Sequence, residues 1–198
     1  MKSRNVVIIA IVAVILILGG CGCGGYNKMV DLDENVKKSW ANVQSDYQRR
    51  ADLIPNLVST VKGAANFEQE TLTRVIEARA SATKVNISPE NLNPENIQRF
   101  QQVQGELSGA LSRLLVVSEQ YPQLQATQNF RDLQAQLEGT ENRIKVSRND
   151  FNAAVQSYNS TIRRFPNNLY AGMFGFSRKE GFAADPGSQN APKVDFSK

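Results

Sequence analysis

The chain has 198 residues, about one domain's worth, and 41% of them are hydrophobic, enough to form a core. Its 23 Lys and Arg face 19 acids, and two of those bases, Lys2 and Arg4, precede the first apolar segment. The remainder is nearly balanced with the two signs interleaved, so the basic stripe of a nucleic-acid binder is missing. No histidine occurs, which excludes Ser-His and Cys-His nucleophiles, His-ligated zinc and histidine general bases. Both cysteines, Cys21 and Cys23, lie at the end of the apolar segment, leaving none for a disulfide framework or a Cys-based metal site in the body. Lys-, Tyr- and carboxylate-based catalysis stay formally open.

Val6 to Leu18 is an unbroken apolar run, VVIIAIVAVILIL, followed by a Gly/Cys stretch that ends at Gly25. The run alone is 13 residues, short of the roughly 17–25 that a bilayer span needs. Counted through Gly25, the uncharged stretch is about 30 Å long as a helix. Two readings are open. In one, residues 1–25 are an uncleaved single-pass anchor, and Gly20 and Gly24 form a GxxxG that lets two such helices approach. In the other they are a secretory signal, Leu18-Gly19-Gly20-Cys21 resembles a lipobox, and Cys21 is the lipidated residue. Both put Lys2 and Arg4 in the cytoplasm and the body outside it.

After Tyr26 the pattern is heptad. Trp40, Tyr47, Ile54 and Val61 stand seven apart, with Val36, Val43 and Leu57 beside them. Glu68 to Lys84 reads as a shorter helix with Leu72, Val75, Ile76 and Ala80 inward. Phe100, Leu107, Leu114 and Tyr121 form a second row, flanked by Val103, Ala110 and Val117. The longest row is Phe130, Leu137, Ile144, Phe151, Tyr158 and Phe165, with a mostly small companion row of Leu133, Thr140, Ser147, Ala154 and Thr161. A strict seven-residue repeat fits helices crossing at about 20° in a left-handed bundle, and the small row predicts close packing on a bulkier partner. Sustained period-two alternation is absent, so strands are not expected.

The punctuation agrees. Asn93-Pro94-Glu95 reads as an N-cap with Pro at the first helical position, and Ser88-Pro89-Glu90 as a short turn. Pro122 should break the chain and Pro166 should end the last helix, whereas Pro55 should kink its helix, because the apolar row continues through it. From Gly172 the chain becomes rich in Gly, Pro and Ser, and Pro186 to Pro192 reads as flexible. Phe174, Phe176 and Phe182 are expected to pack on the bundle; docking to another subunit is the alternative.

No phosphate-binding loop, HExxH or GxSxG occurs, and no catalytic, cofactor-binding or metal residue is assigned. The densest polar stretch holds Arg49, Arg50 and Asp52, a candidate interaction patch for a phosphate, a carboxylate or a lipid head group. The plainer expectation is a solvated helix face with a local Arg–Asp pair. Glu138, Glu141, Arg143, Lys145 and Arg148 read as exposed i,i+3 and i,i+4 pairs. Trp40 and Tyr47 read as core rather than as a stacking platform for a ligand.

Tyr26-Asn27-x-x-Val30, Trp40, Arg49-Arg50-x-Asp52-Leu53-Ile54-Pro55-Asn56-Leu57-Val58, Glu77-Ala78-Arg79-Ala80, Thr140-Glu141-Asn142-Arg143-Ile144 and Tyr158-Asn159 together resemble the LemA family of bacterial membrane proteins. The resemblance runs from Tyr26 to about Phe182. It implies an N-terminal membrane helix, a long helical bundle and no enzymatic activity or cofactor, and its magnetosome-associated members imply a link to membrane shaping. The Cys-Gly-Cys end of the apolar segment departs from the plainer helix of many relatives.

The expectation is therefore an all-α protein in three parts. Residues 1–25 are the anchor or signal, 26–171 an antiparallel four-helix-type bundle and 172–198 the tail. Its expected partners are membrane lipids and further copies of itself in a homo-oligomeric scaffold at the bacterial cell membrane, with the body periplasmic. The alternative is an accessory or adaptor subunit that docks a partner membrane protein.

Overall fold

The computed structural model describes the backbone of residues 2–63 and 67–183, with side chains from residue 24 onward. Among these residues five α-helices follow one another: α1 (Lys2–Lys62), α2 (Gln69–Lys84), α3 (Pro94–Ser118), α4 (Pro122–Gln125) and α5 (Gln128–Arg163). No strand occurs among the described residues. Short 3-10 turns lie at Pro89–Asn91, Asn167–Leu169 and Gly172–Phe174. At 61 residues, α1 is about 90 Å long at 1.5 Å per residue, far longer than any helix packed beside it.

Trp40 meets Phe151 at 5.2 Å between ring centroids, while Arg50, farther along α1, meets Glu141, earlier in α5. The two helices therefore run in opposite directions. Arg79 of α2 reaches Ala51 of α1 and Asn86, just past α2, reaches Gln44, so α2 also opposes α1. The expected small row of α5 is inward, with Thr140, Ser147 and Ala154 buried, and α5 packs more extensively on α1 than on any other helix.

Two apolar clusters make the core. One surrounds Trp40 with Val36, Val43, Phe100, Phe151 and Tyr158; the other gathers Ile54, Leu57, Leu107, Leu114, Phe130 and Leu137. The Trp40 indole N–H donates to the Ile87 carbonyl at 2.9 Å, which satisfies the one polar atom of an otherwise apolar side chain. Helix α3 is capped as expected, Asn93 Oδ1 accepting from the Asn96 N–H at 2.9 Å with Pro94 in the first turn. Helix α1 runs on through Pro55, while Pro122 opens α4 and α5 stops at Arg163, short of Pro166.

Three expectations need correction. On α3 the second inward row is Ile97, Gln104, Leu111 and Ser118, and Val103, Ala110 and Val117 are only half-buried flanks. On α2 the buried stripe is Thr71, Leu72, Val75 and Ala82; Ile76 is 45% exposed and Ala80 faces solvent, since Ile76 is turned about 100° from Val75 and Ala80 about 160° from Ala82. Phe165 continues the α5 row in number only. The helix has ended before it, and the ring is 79% exposed.

The tail folds back on the bundle as far as Ala183. Asn152 Oδ1 accepts from the Phe182 N–H at 2.7 Å and its amide donates to the Phe182 carbonyl at 3.1 Å. Asn159 holds Lys179 in the same two-point manner at 3.0 and 2.7 Å. Seven residues apart on one face of α5, the two amides give an extended segment the partners that a neighbouring strand would supply. Phe182 is buried against Trp40, Phe100 and Phe151, Phe176 packs on the core, and Phe174 sits edge-on to Tyr26 at 5.1 Å. Gly181 permits this seat, because a Cβ there would stand 2.7 Å from Asn152 Oδ1. The stretch Pro186 to Pro192 and Phe196 lie outside the described residues.

Phe151 and Phe165 share one heptad row but opposite environments, and truncation should separate them. Phe151→Ala is expected to cost about 3–5 kcal/mol in urea unfolding, and Phe165→Ala to stay within about 0.5 kcal/mol of the parent.

Candidate functional site

The row Met29, Val36, Val43, Leu57 has one further member, Arg50, and α1 drives it inward with the rest. Its side chain is 2% exposed and lies between the two apolar clusters. Nη1 donates to Ser108 Oγ at 2.7 Å and Glu141 Oε2 at 2.9 Å; Nη2 donates to the Gln104 carbonyl at 3.2 Å and Gln104 Oε1 at 2.8 Å. The guanidinium carbon also sits 5.0 Å from the Tyr47 ring centroid. Four of the five guanidinium donors are thus engaged, and Nε is buried without a partner.

Burying a guanidinium costs several kcal/mol unless paired and hydrogen-bonded. Here the neutralising carboxylate is Glu141, itself 57% exposed. A single polar layer therefore ties α1, α3 and α5 together at one height. Its Glu141 was expected to serve a local surface pair; instead it reaches across the bundle. Arg148, from the same expected surface set, lies 4.9 Å from the Phe182 ring centroid and donates to the Ala183 carbonyl at 3.3 Å.

At the next residue of α1, a second arginine completes the helix itself. Pro55 has no N–H to give the carbonyl four residues earlier, which belongs to Ala51. Arg79 Nε of α2 donates to that carbonyl at 2.7 Å. Ala51 is buried, so the orphaned acceptor would otherwise lack water as well as a backbone partner.

The expected patch is consequently divided. Arg50 turns into the core, while Arg49 and Asp52 remain exposed, and Asp52 accepts from Gln48 at 2.8 Å. The local Arg50–Asp52 pair does not form. Enclosed among α1, α3 and α5, Arg50 joins helices instead of presenting its charge on a solvated face. Gly24 is open, a Cβ there meeting nothing within 4 Å; Gly20, Cys21 and the apolar run lie where side chains are outside the described residues. Among the described residues no helix is long and apolar enough to cross a membrane, and no group of three or more His, Cys, Asp or Glu could hold a metal ion.

The charged seat of the tail is a further feature that sequence reading passed over. Lys179 meets Asp33 at 3.0 Å with both side chains largely covered, and Lys37 meets the same carboxylate at 3.0 Å. Burial pushes the Asp33 pKa up, but hydrogen bonds from Lys179 and Lys37, with their charges, outweigh it and hold the carboxyl below 3.8. Beside them Tyr158 is pushed up to about 12 by burial and by the Asp33 charge, so its hydroxyl stays protonated and donates to the Ser177 carbonyl at 2.9 Å.

A family model described as the LemA family matches residues 39–196. The chain belongs to the LemA family. Among its relatives, magnetosome protein MamQ 2 of Paramagnetospirillum magneticum is 28% identical over 178 residues, which cover 81% of this chain and 65% of that protein. Magnetosome protein MamQ of Magnetospirillum gryphiswaldense is 26% identical over the same shares. Protein LemA of Metamycoplasma hominis is 23% identical over 149 residues, 75% of this chain and 64% of that one. The chain thus spans just under two thirds of the length of these relatives. The match covers Arg50, Arg79, Gln104 and Glu141, so the polar layer lies within the LemA region.

Two outcomes test this layer and the tail seat. Glu141→Ala leaves the buried guanidinium without its carboxylate and should cost about 1.5–3 kcal/mol. The double variant Arg50→Met, Gln104→Leu removes demand and supply together and should unfold within about 1 kcal/mol of the parent, by the same urea titration. For Asp33 the folded pKa is lowered, so its contribution is complete above the unfolded-state value near 3.9 and is lost as pH falls through the folded value. Asp33→Asn should therefore melt below the parent at pH 7, and the gap should close progressively as pH drops below about 4.

Proposed function

We propose that this chain is a non-catalytic scaffold that is tethered to the bacterial membrane through its first 25 residues and self-associates there, with membrane shaping as its task. The observation that carries this reading is the continuity of α1. One helix holds the apolar run at its start and, without a linker, becomes the wall against which α5 packs. A bundle built this way is a rigid extension of its own anchor, which suits mechanical or organising work better than the handling of a diffusing substrate.

The long helices, read as an antiparallel four-helix-type bundle, leave outer surfaces for contacts between copies. The run from Val6 with Lys2 and Arg4 ahead of it supports a tether with the body on the periplasmic side. The likeness to MamQ proteins, named for magnetosomes, fits the link to membrane shaping that the family resemblance implies. Enclosure of Arg50 within the bundle suits a structural role for that residue.

Size measurement of the full-length protein extracted in detergent tests the scaffold: assemblies larger than one chain are expected, and a monodisperse monomer at high concentration would sink it. Intact mass decides between the two tethers, since a lipoprotein is cleaved before Cys21, losing the residues ahead of it, and carries lipid on that cysteine.

A further inference from the structure

Most large hydrophobic residues left exposed among the described ones are not scattered. Among the described residues, Ile76, Val116 and Val146 stand singly on three different helices, whereas Tyr26, Phe165, Leu169, Met173 and Phe174 collect at one end. That end is the root of α1. Gly25 is the point of closest approach, where a Cβ would collide with the Tyr170 hydroxyl and Asn167. Tyr170 donates to Asn167 Oδ1 at 2.7 Å, and Phe174 bridges Tyr26 and Tyr170 at 5.1 and 6.1 Å. The turn from Phe165 to Phe174 is thereby clamped against α1 with Met173 fully outward, 84% exposed.

Bases gather beside it. Arg163, Arg164 and Arg178 line one open groove, and none of them is paired with a described carboxylate. Lys28 is exposed one turn along α1; Asp31 and Glu180 are the acids nearest in sequence. Contiguous exposed apolar surface marks an interaction site where single residues do not. Aromatic and aliphatic side chains flanked by arginines are what a lipid interface selects, the rings at headgroup depth and the guanidinium groups on phosphate.

Position chooses the occupant. A helix over residues 6–25 covers about 30 Å, the thickness of a bilayer's hydrocarbon core, so Tyr26 and the turn clamped to it begin at headgroup level. We infer that this end of the bundle is a membrane seat, in which Phe165, Leu169, Met173 and Phe174 enter the interfacial layer of an anionic bilayer while Arg163, Arg164 and Arg178 meet its phosphates. The inference rests on the tether reading, because the same helix brings the turn to the surface. Seating at this second point removes the freedom of the bundle to tilt about its anchor.

Full-length protein in phosphatidylcholine–phosphatidylglycerol vesicles with brominated acyl chains tests it. Trp40 is the only native tryptophan and is wholly buried, so the parent gives an unquenched reference. Met173→Trp places an indole on the turn and Ile9→Trp places one in the apolar run; Leu169→Trp repeats the first measurement at another exposed site. The Met173→Trp and Leu169→Trp indoles should lose emission in brominated relative to unbrominated vesicles, and the loss should weaken when phosphatidylglycerol is left out. Quenching of Ile9→Trp without quenching at either turn position overturns the membrane seat and leaves the tether standing. Quenching at the turn without quenching of Ile9→Trp supports the seat and overturns the uncleaved helical tether, leaving lipid on Cys21 as the anchor; no quenching anywhere overturns the seat and the helical tether together. A turn indole that shifts with protein concentration but ignores bromine points to a second copy of the chain, and also overturns the seat.

Discussion

A buried guanidinium can exist in only one register of this bundle. Arg50 needs Gln104 and Ser108 from α3 and Glu141 from α5 at its own height, and sliding either helix by one turn would leave a charge in the core without partners. The two apolar clusters on either side supply most of the burial, yet Leu, Val and Phe surfaces tolerate several offsets at similar cost. The polar layer does not, which is why it fixes alignment even though a well-packed apolar replacement would be no less stable. The same turn of α1 carries Ala51, whose carbonyl is freed by Pro55 and taken up by Arg79. Within two consecutive residues, α1 is thus keyed to α2, α3 and α5.

Heptad spacing of large apolar residues makes only part of this arrangement legible in the sequence. Heptad counting over large apolar residues found the faces of α1 and α5 and the inward Trp40, Tyr47 and Phe151. It discarded the polar members of the same rows: Arg50 falls seven after Val43 and seven before Leu57, and Gln104 and Ser118 fall in step with Ile97 and Leu111. Dropping them hid the second face of α3 and sent Arg50 to the surface beside Asp52. Counting also overran the end of α5, so that Phe165 was placed in a core its helix does not reach. Ile76 and Ala80 were misplaced because α2 is too short for the pattern to define a stripe sharply.

Other features carry no periodic signal at all. The tail between Phe174 and Ala183 is extended, and it is held by side-chain amides rather than by a hydrophobic repeat. Asn152 and Asn159, seven apart on the flank of α5, were the available clue, as was the missing N–H of Pro55, which implies a donor somewhere for Ala51. Both clues come from accounting for backbone hydrogen bonds, a different question from where the apolar residues lie. Asp33 and Lys179 could not have been matched from sequence, because nothing local relates residues so far apart.

The unbroken course of α1 makes angular phase a property of this protein. Each residue of an α-helix turns the chain by about 100° and advances it about 1.5 Å, so one residue inserted between Gly25 and Met29 would rotate everything before it relative to everything after. Seven inserted residues would almost restore the phase, within about 20°, while lifting the bundle by about 10 Å. Compass bearing and height of the bundle are thus separately encoded by the length of a single helical segment, as on a screw thread.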